Sequence, residues 1–352
     1  MDQNSLLSVC IPTYNNAACL KECLESLVAQ VEPYRIPICV SDNASTDSTI
    51  EVLSSFKKER YPFLYFQSND ENLGFGKNAV KAATMASSKY VWSFGDRRRL
   101  LPNSFDRIYR TLSENDLSLL MLNHESVPQL YQVMTVRDKR YSSARKVFLE
   151  LSFCAQAIGL QILPLEAWRS EVLKKYLNDE LSDWIFYTAI YEFLASLKSV
   201  NAMFLALPTV DSTKRWGGQW ESRYFQVWTT LKNTINALPK VYSDDDKEFV
   251  IRYMAKLLFL FSTKLLWVRS KGIYNESVFN MLREDFLKYT NTSLSLARTI
   301  SMLPTAFLKL YYELYSIGRK GMRMFIHTRA PLNPLSARLS TKTSAEGPEL
   351  AS

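Results

Sequence analysis

Short apolar runs alternate with segments of helical spacing through the first third of the chain. A run that ends at Pro12 is followed by polar residues and then by apolar residues three and four positions apart, from Leu20 to Val28. This pattern indicates a strand, a loop and a helix. It recurs, and the predicted strands cover residues 6–11, 36–40, 63–66, 90–94 and 117–122. Such alternation builds a mainly parallel sheet with helices on both faces, and ligands bind such sheets beyond the carboxyl ends of the strands.

The periodicity changes after the fifth predicted strand. The next hundred or so residues are mixed, with predicted strands at 130–136 and 202–207 and a helix that begins near Ser182. Helical spacing then dominates from Asp244 onward, and a final stretch rich in Pro, Ser and Thr is predicted to be disordered. We therefore expect an α/β domain over residues 1–235, a basic helical region over 236–329 and a disordered tail over 330–352.

Composition excludes several classes of protein. The 352 residues are 47% hydrophobic and 22% charged, which is typical of a folded globular protein and not of a disordered or collagen-like chain. No window reaches the roughly 18 uncharged apolar residues of a membrane-spanning helix, and the polar N-terminus resembles no secretory signal. Five cysteines without a C-x-x-C pair predict buried reduced thiols, and two histidines argue against a His-rich zinc site. We expect a cytosolic protein.

Two polar loops follow neighbouring predicted strands. The first offers a flat ring, a hydroxyl and an amide to a planar base, in the sequence Pro12, Thr13, Tyr14, Asn15. The second, residues 42–47, begins with Asp42, whose carboxylate can accept hydrogen bonds from a base N–H or from ribose hydroxyls. Either loop alone could be an ordinary turn with a helix cap, because Thr, Asn and Ser also serve that purpose. The two loops together are more specific for a nucleotide than either one.

Four motifs carry a resemblance to a known family. They are residues 8–15, 40–47, 72–78 and 90–96, in the first third of the chain. With these motifs the sequence resembles the inverting nucleotide-sugar glycosyltransferases of family 2, which have the GT-A fold. The subtype is similar to bacterial transferases that add sugars to surface polysaccharides such as lipopolysaccharide O-antigen or capsule, including abequosyltransferase-like members.

The resemblance implies a donor site made by residues of these motifs. Pro12, Tyr14 and Asp42 would hold the base and ribose, and Lys77 would lie near the phosphates or the sugar. The other residues predicted to bind the donor are Asn15, Asn72, Gly74, Asn78, Asp96 and, as a departure from the family pattern, Arg98. Residues 72–74 could equally form a strand-to-helix turn with the glycine at positive φ.

The fourth motif departs from the family pattern. Relatives carry two or three aspartates there, and the first and third bring carboxylates to a divalent cation on the donor diphosphate. Here Asp96 is followed by Arg97, Arg98 and Arg99, so a cation stands in the third position. Mg²⁺ and Mn²⁺ bind through hard oxygen ligands, and adjacent guanidinium groups repel them. Three interpretations remain open: an arginine replaces the metal, the protein is impaired or inactive, or Asp96 binds Mg²⁺ or Mn²⁺ weakly.

An inverting transferase also needs a general base for the acceptor hydroxyl. In the family this is an aspartate at the start of a helix after the central sheet, and the best match is Asp183, with Asp179 and Glu180 as alternatives. An acidic residue in a first helical turn is also favoured by the helix dipole alone. Basic and aromatic residues that could contact the donor phosphate, the acceptor or a sugar ring stay outside the predicted set: Arg215, Trp216 and Trp220.

A net charge of +8 favours an anionic partner, which could be a nucleotide, a phospholipid surface or a nucleic acid. In the C-terminal helical region, basic residues such as Lys264 and Lys309 interleave with Leu, Phe, Trp and Tyr, as in helices that lie on anionic membranes. The alternative is a helical extension that packs on the core with its charged face in water.

The sequence thus predicts a peripheral protein on the inner face of a bacterial plasma membrane. It would move a hexosyl or deoxyhexosyl group from a nucleoside diphosphate to a hydroxyl of a saccharide, which we expect to be polyprenyl-linked. The first rival is a catalytically inactive nucleotide-sugar-binding scaffold. A nucleotidyltransferase would carry a Gly-rich, Arg-containing loop after the first strand, where this chain has residues 12–15, and no nucleic-acid recognition module is recognisable.

Overall fold

Strands and helices alternate through the first half of the chain. The computed structural model describes residues 5–124, 137–177, 180–212, 223–256, 260 and 262–312. The strands are β1 Leu7–Thr13, β2 Ile38–Asp42, β3 Leu64–Ser68, β4 Tyr90–Ser93, β5 Arg98–Leu100, β6 Leu119–His124, β7 Lys139–Tyr141, β8 Gln161–Pro164 and β9 Ala202–Ser212. The first helices are α1 Ala17–Val31, α2 Thr49–Ser55, α3 Phe75–Thr84, α4 Phe105–Glu114, α5 Ala144–Ala155, α6 Leu165–Arg169, α7 Lys174–Leu177 and α8 Ile185–Ser196. The later helices are α9 Tyr224–Ala237, α10 Asp244–Met254, α11 Ser262–Ser270, α12 Glu276–Met281, α13 Arg283–Tyr289 and α14 Leu294–Met302.

In the described part of the chain these nine strands form one mixed sheet, in the order β3-β2-β1-β4-β8-β6-β9-β5, with β7 paired to β9. The strands β1 to β4 are parallel to one another, as predicted. The strand β8 is antiparallel to both β4 and β6, so β4 and β6 point the same way. The carboxyl ends of β1, β2, β3, β4 and β6 therefore lie along one edge of the sheet.

Burial explains why these segments form strands and helices. All seven residues of β1 and all five residues of β2 are buried, as expected for strands covered on both faces. In α1 the buried residues recur at helical spacing, among them Leu20, Leu24, Leu27 and Val31. All five cysteines are buried free thiols, which confirms the expectation from sequence.

The structure adds three short strands that the apolar pattern does not reveal. The strand β5 is Arg-Arg-Leu, and β7 and β8 are three and four residues long, so none of them produces a long apolar run. The predicted helix near Ser182 is a 3-10 turn over Glu180–Trp184 followed by α8. The predicted strand at 130–136 and the predicted tail at 330–352 lie outside the described residues.

The chain divides into two compact units, one of Met1–Phe261 with Leu282–Leu294 and one of Ser262–Met281 with Ser295–Ser352. In the first unit, buried Asp285 on α13 accepts hydrogen bonds from Trp228 Nε1 and Lys232 Nζ on α9, both at 2.7 Å. In the second unit, Arg269 Nε donates to the carbonyl of Leu303 at 2.7 Å. No helix in the described part of the chain is long and apolar enough to cross a membrane. The predicted domain boundary at residue 236 stays a prediction.

One close contact fixes the position of the 3-10 turn that contains Asp183. Gly76 lies in the first turn of α3, and a Cβ at this position would be 2.5 Å from the carbonyl oxygen of Ser182 and 2.6 Å from its Cβ. Only glycine allows the helix to approach the turn this closely. The absence of a side chain at Gly76 therefore brings the segment 180–184 to the same edge of the sheet as the polar loops.

We predict that Gly76→Ala destabilises the protein by about 1–3 kcal/mol, because backbone atoms of Ser182 would have to move. In an unobstructed helix the same change would stabilise by up to about 1 kcal/mol, so the sign of the effect is diagnostic. Urea denaturation measures the change, with Thr84→Ala on the exposed part of α3 as the control. An unchanged or higher unfolding midpoint for Gly76→Ala would contradict the contact.

Candidate active site

The loops after β1 and β2 are joined to each other at the carboxyl edge of the sheet. Thr13 and Asp42 are register partners, and the amide of Asn43 donates to the carbonyl of Thr13 at 3.0 Å. Asn15 has a positive φ of 46°, its amide donates to Ser45 Oγ at 2.8 Å and its Oδ1 accepts from the amide of Thr46 at 2.7 Å. Asn15 therefore links the two loops through hydrogen bonds.

Asp42 lies at the end of β2 with 1% of its surface exposed. Its Oδ2 accepts hydrogen bonds from the amide of Ser45 at 3.2 Å and from Ser68 Oγ at 2.9 Å. Among the described residues, six buried side-chain polar atoms have no hydrogen-bond partner, and three of them lie at the carboxyl ends of β2 and β3: Ser41 Oγ, Asp42 Oδ1 and Asn69 Oδ1. Buried polar atoms in folded proteins are normally paired, so this part of the edge has unused hydrogen-bonding capacity.

Pro12 and Tyr14 come directly before and after Thr13, the register partner of Asp42, and they differ in exposure. Tyr14 is 41% exposed, and it follows Thr13, the last residue of β1. Pro12 is buried within β1 and is the register partner of Ser41. An exposed aromatic residue that follows the register partner of a buried carboxylate suits a planar ring with hydrogen-bond donors.

Three buried amides hold the strand ends together, and we call Asn43, Asn69 and Asn78 the amide cluster. Asn78 Nδ2 donates to the carbonyls of Thr13 at 3.3 Å and Ser41 at 3.0 Å. Asn69 Nδ2 donates to Asn78 Oδ1 and to Asn43 Oδ1, both at 3.0 Å. With 2% of its surface exposed and these bonds in place, Asn78 lies beneath the loops and joins β1, β2 and α3.

Asn72 and Gly74 form the turn into α3. Asn72 Oδ1 accepts from Asn43 Nδ2 at 2.7 Å and from the amide of Gly74 at 2.9 Å. Gly74 has a φ of 80°, which confirms the alternative of a strand-to-helix turn with glycine at positive φ. Lys77 is exposed in the first turns of α3.

Asp96, the remaining carboxylate of the fourth motif, is held by neighbouring side chains. Thr13 Oγ1 donates to Asp96 Oδ2 at 2.9 Å. Burial raises the pKa of Asp96, whereas hydrogen bonds from Asn16 and Thr13 and the charge of Arg97 act in the opposite direction. Arg97 is exposed, and Arg99 forms an ion pair with Asp211 at 3.8 Å.

The residues around Asp96 do not fit a divalent cation. Mg²⁺ requires near-octahedral oxygen ligands, and Mn²⁺ also prefers carboxylate, carbonyl and water oxygens. In the ranges that the structure describes, no three His, Cys, Asp or Glu residues are grouped so that they could hold a metal ion. The only carboxylate of the motif is already hydrogen-bonded to Thr13, and arginines follow it.

Asp183, the predicted base, lies in the 3-10 turn before α8 and forms an ion pair with a residue that the sequence did not single out. Asp183 Oδ2 is 2.7 Å from Arg223 Nη2, and Arg223 Nε also donates to Gln226 Oε1 at 3.1 Å. Next to Asp183, Trp184 Nε1 donates to Thr230 Oγ1 at 3.0 Å, which fixes the turn on α9. The alternative Glu180 is in the same turn. Other candidates lie outside the described residues: Asp179, Arg215, Trp216 and Trp220.

The comparisons with known proteins agree with this arrangement. Residues 8–176 match the family model for glycosyl transferase family 2, and this span contains β1 to β8 with all of the loops described above. This segment belongs to glycosyl transferase family 2. The resemblance that the four motifs indicated is thereby confirmed.

Similar proteins include two bacterial sugar transferases. The chain is 39% identical over 102 residues to an abequosyltransferase of Salmonella typhimurium, covering 28% of this chain and 30% of that protein. It is 29% identical over 131 residues to a poly(ribitol-phosphate) beta-glucosyltransferase of Bacillus spizizenii, covering 35% of this chain and 20% of that protein. The chain thus spans less than a third of either relative.

The fold of the chain is GT-A, as predicted. A structure of S. aureus TarS residues 1–349 in complex with UDP superimposes with a TM-score of 0.55 at 16% identity, covering 83% of each chain. A further structure of that protein contains UDP-GlcNAc and gives the same TM-score.

We predict that Asn78→Ala lowers the free energy of unfolding by about 1–3 kcal/mol, because it removes two hydrogen bonds to buried carbonyls and one from Asn69. The adjacent exposed Lys77→Ala should change stability by less than about 0.5 kcal/mol. Chemical denaturation of both variants measures the difference. Unchanged stability of Asn78→Ala together with weakened nucleotide binding would show that Asn78 acts on the ligand instead.

Proposed function

We propose that this chain is an inverting glycosyltransferase of surface-polysaccharide synthesis. It moves a sugar from a nucleoside-diphosphate sugar to a hydroxyl of a saccharide acceptor. The family assignment, the polar edge of the GT-A sheet and the likeness to transferases of abequose and of glucose on poly(ribitol-phosphate) support this proposal.

Donor binding is supported by the unpaired, buried Oδ1 of Asp42 and by exposed Tyr14, which follows Thr13, the register partner of Asp42. A base N–H or a ribose hydroxyl supplies the partner that this oxygen lacks, and the Tyr14 ring covers the base. The UDP and UDP-GlcNAc complexes of TarS are consistent with a nucleotide-sugar donor on this fold.

Activation of the acceptor hydroxyl depends on Asp183. As the acceptor oxygen attacks the anomeric carbon, the bond from that carbon to the diphosphate oxygen breaks and the hydroxyl proton passes to the Asp183 carboxylate. The single displacement inverts the anomeric configuration. The ion pair with Arg223 orients this carboxylate, and the Gly76 contact keeps its turn at the donor edge.

The acceptor is a lipid-linked saccharide, and the protein works as a peripheral protein on the inner face of a bacterial plasma membrane. In support, the helical residues 305–312 expose the apolar side chains of Phe307, Leu310 and Tyr311 together with Lys309. Exposed apolar and basic side chains on one short helix suit an anionic lipid surface.

A second function, an inactive nucleotide-sugar-binding scaffold, is favoured by one observation: arginines occupy the acidic motif after Asp96. Calorimetric titration with UDP-, CDP-, GDP- and dTDP-sugars first identifies the donor. The matching donor is then incubated with lipid-linked saccharides extracted from bacterial membranes, and product is detected by mass spectrometry. Binding with turnover supports the transferase, binding without turnover on any acceptor supports the scaffold, and no binding contradicts both.

We predict that Asp183→Asn lowers kcat by about 100-fold or more, because a neutral amide cannot accept the acceptor proton. The affinity for the nucleoside diphosphate should stay within about twofold, since the substituted group acts on the acceptor. Steady-state kinetics and calorimetry measure the two effects separately.

The matched control is Asp106→Asn, which removes an acidic residue from the first turn of α4. This variant should keep full turnover. Retained turnover of Asp183→Asn would show that the carboxylate serves only the helix end.

A further inference from the structure

The side chain of Arg98 is fixed at the edge of the sheet by two chain segments. Arg98 is the first residue of β5, and its Nη1 lies 2.8 Å from Nε2 of His124, the last residue of β6. His124 is 5% exposed. This contact joins the end of the fourth motif to the carboxyl end of a strand that is separated from β4 by β8.

Two glycines make room for the aliphatic part of Arg98. A Cβ at Gly95 would be 3.3 Å from Arg98 Cγ, and a Cβ at Gly159 would be 3.3 Å from the same atom and 3.8 Å from Cδ. Gly159 also has a φ of 97°, which other residues rarely adopt. The aliphatic part of the Arg98 side chain therefore packs between Gly95 and Gly159, and this packing limits its rotamers.

The His124 hydrogen bond orients the guanidinium without adding negative charge. Burial, together with the charge of Arg98, lowers the pKa of His124 to about 4, although Asp211 acts in the opposite direction. At neutral pH the imidazole is therefore uncharged, Nε2 accepts the hydrogen bond from Arg98, and the ring proton is on Nδ1. In contrast, the neighbouring Arg99 interacts with the carboxylate of Asp211.

We propose that Arg98, oriented by His124, binds the diphosphate of the donor in place of a divalent cation. This inference rests on the proposed transferase function. Arginine forms bidentate, charge-assisted hydrogen bonds with phosphate oxygens and keeps its charge at all physiological pH values. The donor residues around Asp96 do not fit a metal ion, so a cationic side chain is the group that this motif supplies.

In the reaction, the electron pair of the broken bond stays on the diphosphate oxygen, and the added negative charge is stabilised by the Arg98 guanidinium. Arg98 transfers no proton. The acceptor proton goes to Asp183, and the products are the glycoside and the nucleoside diphosphate. His124 is a positioning residue, because it acts through Arg98.

The test compares binding of the nucleoside diphosphate and of the matching nucleoside by calorimetry, in EDTA and again with MnCl₂. The wild-type protein should bind the diphosphate equally well, within about twofold, under both conditions. Arg98→Ala should weaken diphosphate binding by about 10- to 100-fold and leave nucleoside binding unchanged, as expected for loss of hydrogen bonds to a charged group. Arg110→Ala, on the exposed surface of α4, removes the same charge elsewhere and should have no effect.

The role of His124 is tested by two further variants. His124→Leu should weaken diphosphate binding several-fold and leave nucleoside binding unchanged. His124→Gln keeps a hydrogen-bond acceptor and should bind the diphosphate as the wild-type protein does. Binding of the diphosphate only with MnCl₂, or wild-type affinity in Arg98→Ala, would overturn the proposal while leaving the transferase function in place. No binding of nucleoside or diphosphate under either condition would overturn the donor site and this proposal together.

Discussion

Hydrogen bonds among buried side-chain amides at the ends of β1, β2 and β3 are the constraint on which the candidate site depends. Parallel strands end in loops whose backbone groups lack partners in the sheet, and each buried unpaired group costs about 1–3 kcal/mol. The amide cluster supplies those partners, since Asn78 bonds the carbonyls of Thr13 and Ser41 and Asn43 accepts from the amide of Leu73. Buried polar side chains beneath the loops thus hold the exposed loop residues in place.

At the same edge, some buried polar side-chain atoms have hydrogen-bond partners and others have none. Asp42 has a buried oxygen without a partner, whereas the side-chain atoms of Asn78 are all engaged. The charged residues of the fourth motif and β5 also differ in their partners. Asp96 is hydrogen-bonded to Thr13, Arg99 lies near Asp211, and Arg98 is bonded to a neutral imidazole. At the fourth motif, where the resemblance implies metal-binding aspartates, this chain has Arg98 with its guanidinium bonded to His124.

The local pattern of apolar and polar residues was sufficient to predict most of the long strands and the loops that follow them. The apolar runs predicted β1 to β4 and β6, and the polar loops after them marked the edge that carries the site. Contacts between distant positions could not be predicted in this way. Asn78 lies in a motif for which the resemblance implies donor binding, and its hydrogen bonds to two strands are visible only in the structure. The contacts of Arg98 with His124 and of Asp183 with Arg223 join positions 26 and 40 residues apart, which no local pattern reveals.

The proposed role of Arg98 requires that this edge of the sheet bind a nucleoside diphosphate without a metal ion. The most direct measurement is a crystal structure of the protein with its nucleoside diphosphate and MnCl₂, with anomalous scattering recorded at the manganese edge. We expect the base at Asp42 and Tyr14, the diphosphate at Arg98, and no anomalous peak between the diphosphate and Asp96. A manganese peak at that position would contradict metal-free binding of the diphosphate.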